Sequence, residues 1–470
     1  MSEPEGAFDV VVIGGGPAGT SAALEAARAG ARALLVDAEE APGGECVKRG
    51  TIPSKTLRET ALAVSTFRRR SGGVFGVEVR EDLHVASLMA RKEAVIEAHE
   101  RALRAELDAS HVTRWHGRAR FVGAHAVEVR APSGRARVAR GETIIIATGS
   151  RPRTPPGVPV DHEHVLDSDS ILSLTWLPSS LVVLGAGVIA SEYASIFAAL
   201  GVRVTMVDKA PRPVAFLDPE LTGAFVRRFA DAGATFLGGR GAAGVAFDGV
   251  SEVTVTLEGG EQVRAEKALV ALGRVANVAG LGLDAVGLSV NARGVFEVDA
   301  SFRTRVEHVY AVGDVAGPPA LASASMVQGR TAVRRALGLD AGRAPDLIPT
   351  GVYTIPELSS VGLTEPEARA RHGAIAVGRA SLGAVARGVI SANEDGVLKL
   401  VADASGQRLL GVHAAGEGAA ELVHVGMMAL IAGLPPSVFV EHVFNFPTMA
   451  EAYRVAALDL AAHAHALRAA

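Results

Sequence analysis

Two glycine-rich segments of this 470-residue chain have the spacing of loops that bind phosphate groups. The first carries Gly14, Gly16 and Gly19 as G-x-G-x-x-G, and Asp37 follows twenty-three residues after the first glycine. In such a loop the first glycine allows a tight turn, the second lets the backbone approach a pyrophosphate, and the third lets a helix pack against its strand. An acid in this place accepts hydrogen bonds from an adenosine ribose. The segment predicts a dinucleotide site, and the alternative is a glycine-rich turn that binds no ligand.

The second segment, residues 185–190, has the related pattern G-x-G-x-x-A, and Asp208 follows it at the same distance. An acid here usually favours NAD, because it binds the 2′-hydroxyl of the ribose and repels a 2′-phosphate. Lys209 and Arg212 follow directly. They either offset that repulsion or are solvated surface charges, so the sequence leaves the choice between NAD and NADP open.

Both motifs lie between predicted elements of the same kind. A short run rich in β-branched residues precedes the glycines, a helical segment follows them, and a second apolar run comes next. The predicted strands are 10–13 and 33–36 around the first motif, and 181–184 and 202–207 around the second. This is the βαβ unit of a parallel sheet, and its repetition predicts two nucleotide-binding domains. From about residue 346 the glycine fingerprint is absent and a third domain is expected.

The composition of the chain argues against several kinds of binding partner and against cysteine-based sites. The net charge of −4 gives no support for nucleic acid or an anionic membrane as a partner. Cys46 is the one cysteine, so neither an intramolecular disulfide nor a cysteine-based metal site is possible, and no metal is predicted. The apolar stretch 181–201 contains Glu192 and several glycines, which is untypical of a membrane span. The acidic start lacks the features of a secretory signal, and a cytoplasmic protein is expected.

Residues 43–55, GGECVKRGTIPSK, resemble the redox segment of the flavin disulfide reductases, which carry two cysteines there as C-x-x-x-x-C. This chain has Cys46 at the first position and Thr51 at the second. Residues 446–451, FPTMAE, resemble a second motif of those enzymes, which begins with an acid–base histidine where this chain has Phe446. Because dithiol–disulfide exchange needs two sulfurs, lipoamide or glutathione reduction is not expected.

The chain is more specifically similar to the soluble, FAD-containing pyridine nucleotide transhydrogenases of that superfamily. The similar segments are GTIPSK at 50–55, DSDSIL at 167–172, EYASIF at 192–197, YTIPE at 353–357 and FPTMAEAYRVAA at 446–457. The resemblance implies an α/β fold with two Rossmann-like dinucleotide-binding domains, for FAD and NAD(P), and a C-terminal α+β dimerisation domain. The implied boundaries are 1–150 and 275–345 for the two parts of the FAD domain, 151–274 for the NAD(P) domain and 346–470 for the dimerisation domain.

The function implied by this resemblance is hydride transfer from NADPH through flavin N5 to NAD+, by a ping-pong scheme without a redox disulfide. The implied cofactors are FAD, NAD and NADP, and the implied assembly is a homodimer or a larger homo-oligomer. Two alternatives stay open: an NAD(P)H reductase of a quinone or another small acceptor, and a non-catalytic FAD-binding redox sensor.

The resemblance also implies roles for single residues. Lys55 and Glu192 match a pair beside flavin N5, and Tyr193 matches a tyrosine that covers the flavin ring until nicotinamide displaces it. Asp314 is expected to hydrogen bond to the ribityl chain, and its alternative role is to cap the next helix.

Two further side chains, Cys46 and His442, are not required by the implied hydride transfer. Cys46 is expected near the flavin as an unreactive thiol. His442 is a weak candidate to replace the missing base. The full set of expected cofactor-binding residues is Gly14, Gly16, Gly19, Asp37, Ala38, Glu39, Gly43, Gly44, Glu45, Cys46, Thr51, Lys55, Thr148, Gly149, Gly185, Gly187, Val188, Ile189, Glu192, Asp208, Lys209, Arg212, Gly273, Arg274, Gly313, Asp314 and Ala322.

Overall fold

The computed structural model describes residues 6–70, 84–342 and 345–469. Its strands, numbered in chain order, are β1 (Gly6–Ile13), β2 (Ala33–Asp37), β3 (Thr113–His116), β4 (Arg118–Gly123), β5 (Ala126–Arg130), β6 (Ala136–Ile146), β7 (Ser150–Pro152), β8 (Val165–Asp167), β9 (Ser180–Leu184), β10 (Arg203–Asp208), β11 (Thr235–Gly238), β12 (Ala242–Phe247), β13 (Val253–Leu257), β14 (Gln262–Ala265), β15 (Lys267–Val270), β16 (Arg274–Ala276), β17 (Val309–Ala311), β18 (Thr350–Val352), β19 (Leu358–Gly362), β20 (Ile375–Ser381), β21 (Val397–Asp403) and β22 (Leu409–Ala415).

The α-helices lie between single strands or longer runs of strands. They are α1 (Pro17–Arg28), α2 (Gly44–Lys48), α3 (Thr51–Arg70), α4 (Val85–Ala109), α5 (Val188–Ala199), α6 (Pro219–Asp231), α7 (Ala322–Ala336), α8 (Glu365–His372), α9 (Ala386–Ile390), α10 (Ala419–Ala432), α11 (Val438–Glu441) and α12 (Ala452–Ala469). None of the helices in the described ranges is both long and apolar enough to cross a membrane.

The described chain forms two compact units, and the first draws on Met1–Thr56, Ser87–Arg153 and Gly273–Ala344. Its sheet has the order β3-β2-β1-β6, with β17 beside β6, all parallel, and β6 continues into the antiparallel strands β5 and β4. The central strand β1 ends in a fully apolar, buried run, as a parallel strand covered on both faces requires. Helices α1 and α7 pack closely on one face. Gly329 allows this approach, because a Cβ there would lie 2.1 Å from the carbonyl oxygen of Ala18.

The second unit comprises Leu57–Ala86, Thr154–Leu272 and Pro345–Ala470. It contains a parallel sheet of order β11-β10-β9-β15-β8 and a three-stranded antiparallel sheet of order β12-β13-β14. Its C-terminal part is an antiparallel sheet of order β18-β19-β22-β21-β20, and α10 and α12 share its core cluster. The predicted fold class is therefore confirmed: two parallel βαβ sheets and a C-terminal α+β part.

Candidate cofactor and nucleotide sites

The first glycine loop connects β1 to α1 through a turn that only glycine can make without a clash. Gly14 has a φ of +109°, and a Cβ there would lie 2.3 Å from the carbonyl oxygen of Ala147. A Cβ at Gly19 would lie 1.8 Å from the carbonyl oxygen of Gly14. The two glycines thus hold the start of α1 against the end of β1, where the free N–H groups of a helix attract phosphate.

Asp37, at the end of β2, fixes the shape of this loop. Its Oδ2 accepts a hydrogen bond of 2.7 Å from the backbone N–H of Gly15, and its Oδ1 accepts one of 3.0 Å from Glu39. Burial raises the pKa of the Asp37 carboxyl, although both N–H groups act in the opposite direction. A carboxylate oxygen has a second lone pair, so each oxygen of Asp37 can still accept a hydrogen bond from a ribose hydroxyl.

A glycine-lined space lies beside the start of α1. The closest atom to a Cβ at Gly16 would be the Cα of Gly44, at 3.9 Å. A Cβ at Gly44 would instead approach the Cα of Gly16 to 2.7 Å. The backbone N–H of Gly43 donates to the carbonyl oxygen of Gly15 at 2.7 Å. The two segments therefore meet through glycine backbones at Gly44, while the space on the Cβ side of Gly16 stays open.

Charged side chains from the segment after Asp37 form a connected chain of ion pairs. Glu39 pairs with Lys48 and with Arg49. Arg49 also pairs with Glu45 at 2.8 Å, and Glu45 pairs with Arg274 at 3.2 Å. Sequence reasoning selected Glu39, Glu45 and Arg274 but missed Lys48 and Arg49. The four-residue spacing of Glu45 and Arg49 on a helix was the available signal.

Ser150 extends this chain to Asp314, and sequence reasoning missed it too. The guanidinium of Arg274 donates to the hydroxyl of Ser150 at 2.8 Å and to its carbonyl oxygen at 2.7 Å. The Ser150 hydroxyl donates in turn to Asp314 Oδ2 at 2.5 Å. Ser150 is buried. A single serine therefore connects two residues that the sequence expected at the cofactor.

The position of Asp314 excludes its alternative role as a helix cap. Asp314 lies in a short 3-10 turn, Gly313–Ala316, directly after β17. Helix α7 begins at Ala322, and the residue before it is Leu321, which provides no side-chain cap. The backbone N–H of Gly313 donates to Gln328 at 2.7 Å, which holds the turn against α7.

Asn277 holds the turn after β6, where Thr148 and Gly149 were expected to contact cofactor. Its backbone N–H donates to the carbonyl oxygen of Gly149 at 2.9 Å, and its side chain donates to that of Thr148 at 3.0 Å. The Thr148 hydroxyl donates back to Asn277 at 2.7 Å. Gly273 has a φ of +102°, and its carbonyl oxygen accepts from Arg153.

The Cys46 thiol lies beside Thr51, the residue at the place of a second cysteine. Burial raises the pKa of the thiol, and a hydrogen bond with Thr51 and the charge of Lys55 oppose this rise. Asp314 raises the pKa further. The ammonium of Lys55 lies 3.4 Å from the hydroxyl of Ser54. The net effect is a raised pKa, which leaves less of the nucleophilic thiolate near neutral pH.

The second glycine loop repeats the geometry of the first. The backbone N–H of Gly185 donates to the carbonyl oxygen of Val207 at 2.8 Å, as that of Gly14 does to Val36 at 2.7 Å. Asp208 accepts from the N–H of Ala186 at 2.7 Å and from that of Ala210 at 2.7 Å, as Asp37 does from Gly15 and Glu39.

Helix α5 begins directly after this loop. Gly187 precedes its first turn, which includes Val188 and Ile189, and a Cβ at Gly187 would meet nothing within 4 Å. The loop is therefore open above the start of α5, as the first loop is above the start of α1.

Glu192 and Tyr193 are both buried on α5 in the second unit. Glu192 accepts a hydrogen bond of 2.9 Å from the backbone N–H of Tyr353. The Tyr193 hydroxyl donates to the carbonyl oxygen of Ser168 at 3.4 Å. Lys55 belongs to the first unit, so its pairing with Glu192 stays a prediction.

The segment around Phe446 contains the glutamate that pairs with a histidine in the disulfide reductases. Here Glu451 accepts from the backbone N–H of Thr448 at 3.3 Å. Phe446 is 69% exposed. The ring of His442 hydrogen bonds to the carbonyl oxygen of Val438, four residues earlier, at 3.2 Å.

Comparison with known families identifies this arrangement. Residues 8–329 match the family described as pyridine nucleotide-disulphide oxidoreductase, and residues 348–457 match the dimerisation domain of the same family. The chain is a pyridine nucleotide-disulphide oxidoreductase. The two glycine loops lie within the first match, and Phe446 and Glu451 lie within the second.

Several curated members of the family are similar along nearly their whole length. A protein of Mycobacterium bovis named soluble pyridine nucleotide transhydrogenase is 42% identical, over 96% of this chain and 97% of its own. A protein of Vibrio vulnificus with the same name is 40% identical over the same shares. Among solved structures, LpdA from Mycobacterium tuberculosis is 28% identical with a TM-score of 0.89, over 96% of this chain and 98% of that one. The flavoprotein disulfide reductase RclA from Escherichia coli, as a Cu(II) complex, is 29% identical with a TM-score of 0.86, over 97% and 99%.

Proposed function

We propose that this protein is an FAD-dependent soluble NAD(P)+ transhydrogenase that acts as a homodimer in the cytoplasm. The observation that carries the proposal is that each glycine loop has an aspartate that accepts two backbone N–H hydrogen bonds in the same arrangement. In addition, Cys46 has no second cysteine with which to exchange a disulfide. Cys46 faces the hydroxyl of Thr51 and its pKa is raised. Relatives that share 40–42% identity are named for this activity.

The residues of the first loop fit FAD. A Cβ at Gly16 would meet only the Cα of Gly44, at 3.9 Å, so the space beside Gly16 at the start of α1 is open to a phosphate group. Asp37 is already oriented by two N–H groups, so it can receive the adenosine ribose without reorganisation. When bound, FAD supplies a flavin that accepts a hydride from one pyridine nucleotide and returns it to another.

The side chains of the chain bind, orient and stabilise charge in this scheme. Asp314, fixed by Ser150, is positioned to accept a hydrogen bond from the cofactor. The cationic Lys55 stabilises negative charge that develops on the cofactor, and Glu192 and Tyr193 are proposed to complete the nicotinamide site. In the second unit Asp208 binds a ribose hydroxyl and α5 receives the pyrophosphate. A hydride transfer of this kind needs no general acid or base, which is consistent with Phe446.

The proposed division of the chain follows from these assignments. FAD is assigned to residues 1–150 and 275–345, NAD(P) to residues 151–274, and the subunit interface to residues 346–470. Residues 348–457 match the family's dimerisation domain, which supports the last assignment.

The test is a stopped-flow and steady-state experiment on the purified yellow protein. NADPH is added alone, and then with thio-NAD+, lipoamide or a quinone as acceptor. We expect NADPH to bleach the flavin and thio-NAD+ to reoxidise it quickly, with no turnover of lipoamide. Reoxidation by the quinone alone would overturn the proposal in favour of a small-acceptor reductase. Absence of bleaching by either NADPH or NADH would favour a non-catalytic FAD-binding protein.

A further inference from the structure

A short acidic turn contacts the residues that follow β10 and β11. This acidic turn, residues 258–261, connects β13 to β14 and contains Glu258 and Glu261. Glu258 pairs with Lys209, with 2.6 Å between its Oε1 and the lysine Nζ. Glu261 pairs with Arg240. Both carboxylates of one turn are therefore bound to cations that lie outside it.

Both of these cations border Asp208, the acid of the second loop. Lys209 is the next residue in the chain, and the backbone N–H of Arg240 donates to the carbonyl oxygen of Asp208 at 2.9 Å. An acid in the place of Asp208 binds the 2′-hydroxyl of NAD, so these two cations border the residue expected nearest to a 2′-phosphate of NADP.

A backbone hydrogen bond holds the acidic turn close to Lys209. The N–H of Glu258 donates to the carbonyl oxygen of Gly241 at 2.8 Å. A Cβ at position 241 would lie 2.5 Å from the Cε of Lys209 and 2.8 Å from the Cδ of Glu258. Gly241 therefore gives both side chains the room in which they meet.

Arg212, the other cation that the sequence offered for a 2′-phosphate, is directed elsewhere. Its guanidinium donates to the carbonyl oxygen of Ala215 at 2.6 Å and to that of Leu217 at 3.0 Å. These bonds close the loop that leads to α6. Arg212 is therefore held within its own loop, whereas Lys209 and Arg240 pair with the acidic turn.

Stability does not explain the pair between Lys209 and Glu258. Their side chains are 72% and 54% exposed, and exposed ion pairs contribute little to folding. The pair affects a bound ligand more than it affects folding, because a 2′-phosphate near Lys209 would also be repelled by the Glu258 carboxylate. Asp208 adds a third carboxylate next to these two ion pairs, and this excess of negative charge disfavours a further anion.

We propose that the acidic turn is a specificity element that weakens binding of 2′-phosphorylated nucleotides and so favours NAD(H) over NADP(H) at the second loop. The proposal rests on the function proposed above, because it assigns the substrate that this loop prefers. Glu258 and Glu261 act through Lys209 and Arg240, so they are positioning and charge-setting residues rather than catalytic ones.

The test measures ligand binding by calorimetry and needs no hydride transfer. The probes are adenosine 2′,5′-bisphosphate and 5′-AMP, added to the holoenzyme. We expect Glu258→Gln and Glu261→Gln each to tighten binding of adenosine 2′,5′-bisphosphate on the order of threefold to tenfold, while 5′-AMP binding stays unchanged. The gain should shrink at high salt, because exposed charges are screened.

Two matched variants control this experiment. Glu252→Gln removes a carboxylate at the opposite end of β13, where Glu252 pairs with Arg264 at 3.3 Å, and it should change neither affinity. Lys209→Gln, combined with Glu258→Gln, should abolish the gain, because it removes the cation that the first variant releases.

The proposal is overturned if Glu258→Gln leaves the bisphosphate affinity unchanged or weakens it, since weakening would mean that the carboxylate holds Lys209 in place for the phosphate. An equal gain in the Glu252→Gln variant would also overturn it. If the predicted shift occurs in a protein whose flavin is not reduced by NADPH, the transhydrogenase function fails while the specificity element stands.

Discussion

The hydroxyl of Ser150 donates a hydrogen bond of 2.5 Å to the carboxylate of Asp314 and accepts one of 2.8 Å from Arg274. Three segments that are far apart in the chain therefore converge on one buried serine. Arg274 continues through Glu45 and Arg49 to Glu39, close to the first glycine loop. The orientation of Asp314 consequently depends on a hydrogen-bond network that extends to the adenosine end of the proposed FAD site.

Replacement of Ser150 by alanine should loosen FAD. The change leaves one oxygen of Asp314 and one donor of Arg274 without their partner, and a buried polar group that loses its partner destabilises by about 1–3 kcal/mol. We expect FAD affinity to fall roughly tenfold to a hundredfold, measured from the flavin fluorescence released on dilution. Ser405→Ala removes a similar serine-to-aspartate hydrogen bond from a surface turn and should leave FAD bound. Equal FAD retention in both variants would contradict the prediction.

Cys46 should be dispensable and slow to react. Because burial raises the pKa of its thiol, the thiolate becomes abundant only above the ordinary cysteine value of about 8.5. We expect alkylation by iodoacetamide to be slow at about pH 7 and to accelerate at a higher pH than for free cysteine. Cys46→Ser should keep hydride transfer within about twofold, since no step of the proposed reaction uses sulfur. Thr51→Val removes the hydrogen bond that lowers this pKa, so its Cys46 should react more slowly still. Rapid alkylation with loss of activity would give Cys46 a catalytic role.

The parts of the site that were predicted from sequence are the local ones. Gly14, Gly19 and Asp37 are close in sequence, and their spacing alone describes a strand, a turn and a helix start. The fold class followed from the same patterns together with the family resemblance. The contact of Ser150 with Asp314 could not be predicted, because no local period relates residues 164 positions apart.

The charges of the second loop show the same limit. Sequence reasoning could name Lys209 and Arg212 as neighbours of Asp208 but could not find Glu258, which is 49 positions from Lys209. Nor could it show that Arg212 binds the carbonyl oxygens of its own loop. Adjacency in sequence gives the position of a charge, whereas its partner depends on how the sheets pack.

Loss of His442 should leave the pH dependence of hydride transfer unchanged. Its exposed ring hydrogen bonds to the carbonyl oxygen of Val438 within its own helical segment, and the proposed hydride transfer needs no general base. We expect His442→Ala to give the same kcat/KM as the parent protein, within about twofold, across the range in which a free histidine titrates near about 6.5. Loss of an ionisation in that range in the variant would show that His442 replaces the missing acid–base group. His424→Ala, at an exposed position of α10, is the matched control.

The buried ammonium of Lys399 should be essential for the stability of the second unit. It pairs with Asp218 at 2.9 Å and with Glu365 at 2.7 Å, and these pairs lower the pKa of both carboxyls against the opposing effect of burial. Lys399→Met leaves the carboxylates without this cation and should destabilise the unit by about 3–5 kcal/mol near neutral pH. A lowered carboxyl pKa stabilises the fold above the ordinary value of about 4, and this contribution is lost as the pH falls through the folded pKa. The difference between variant and parent in urea unfolding should therefore narrow as the pH falls below about 4. Arg379→Met removes a more exposed cation from Glu365 and should destabilise by only about 1 kcal/mol. A pH-independent difference for Lys399→Met would point to lost packing instead of charge.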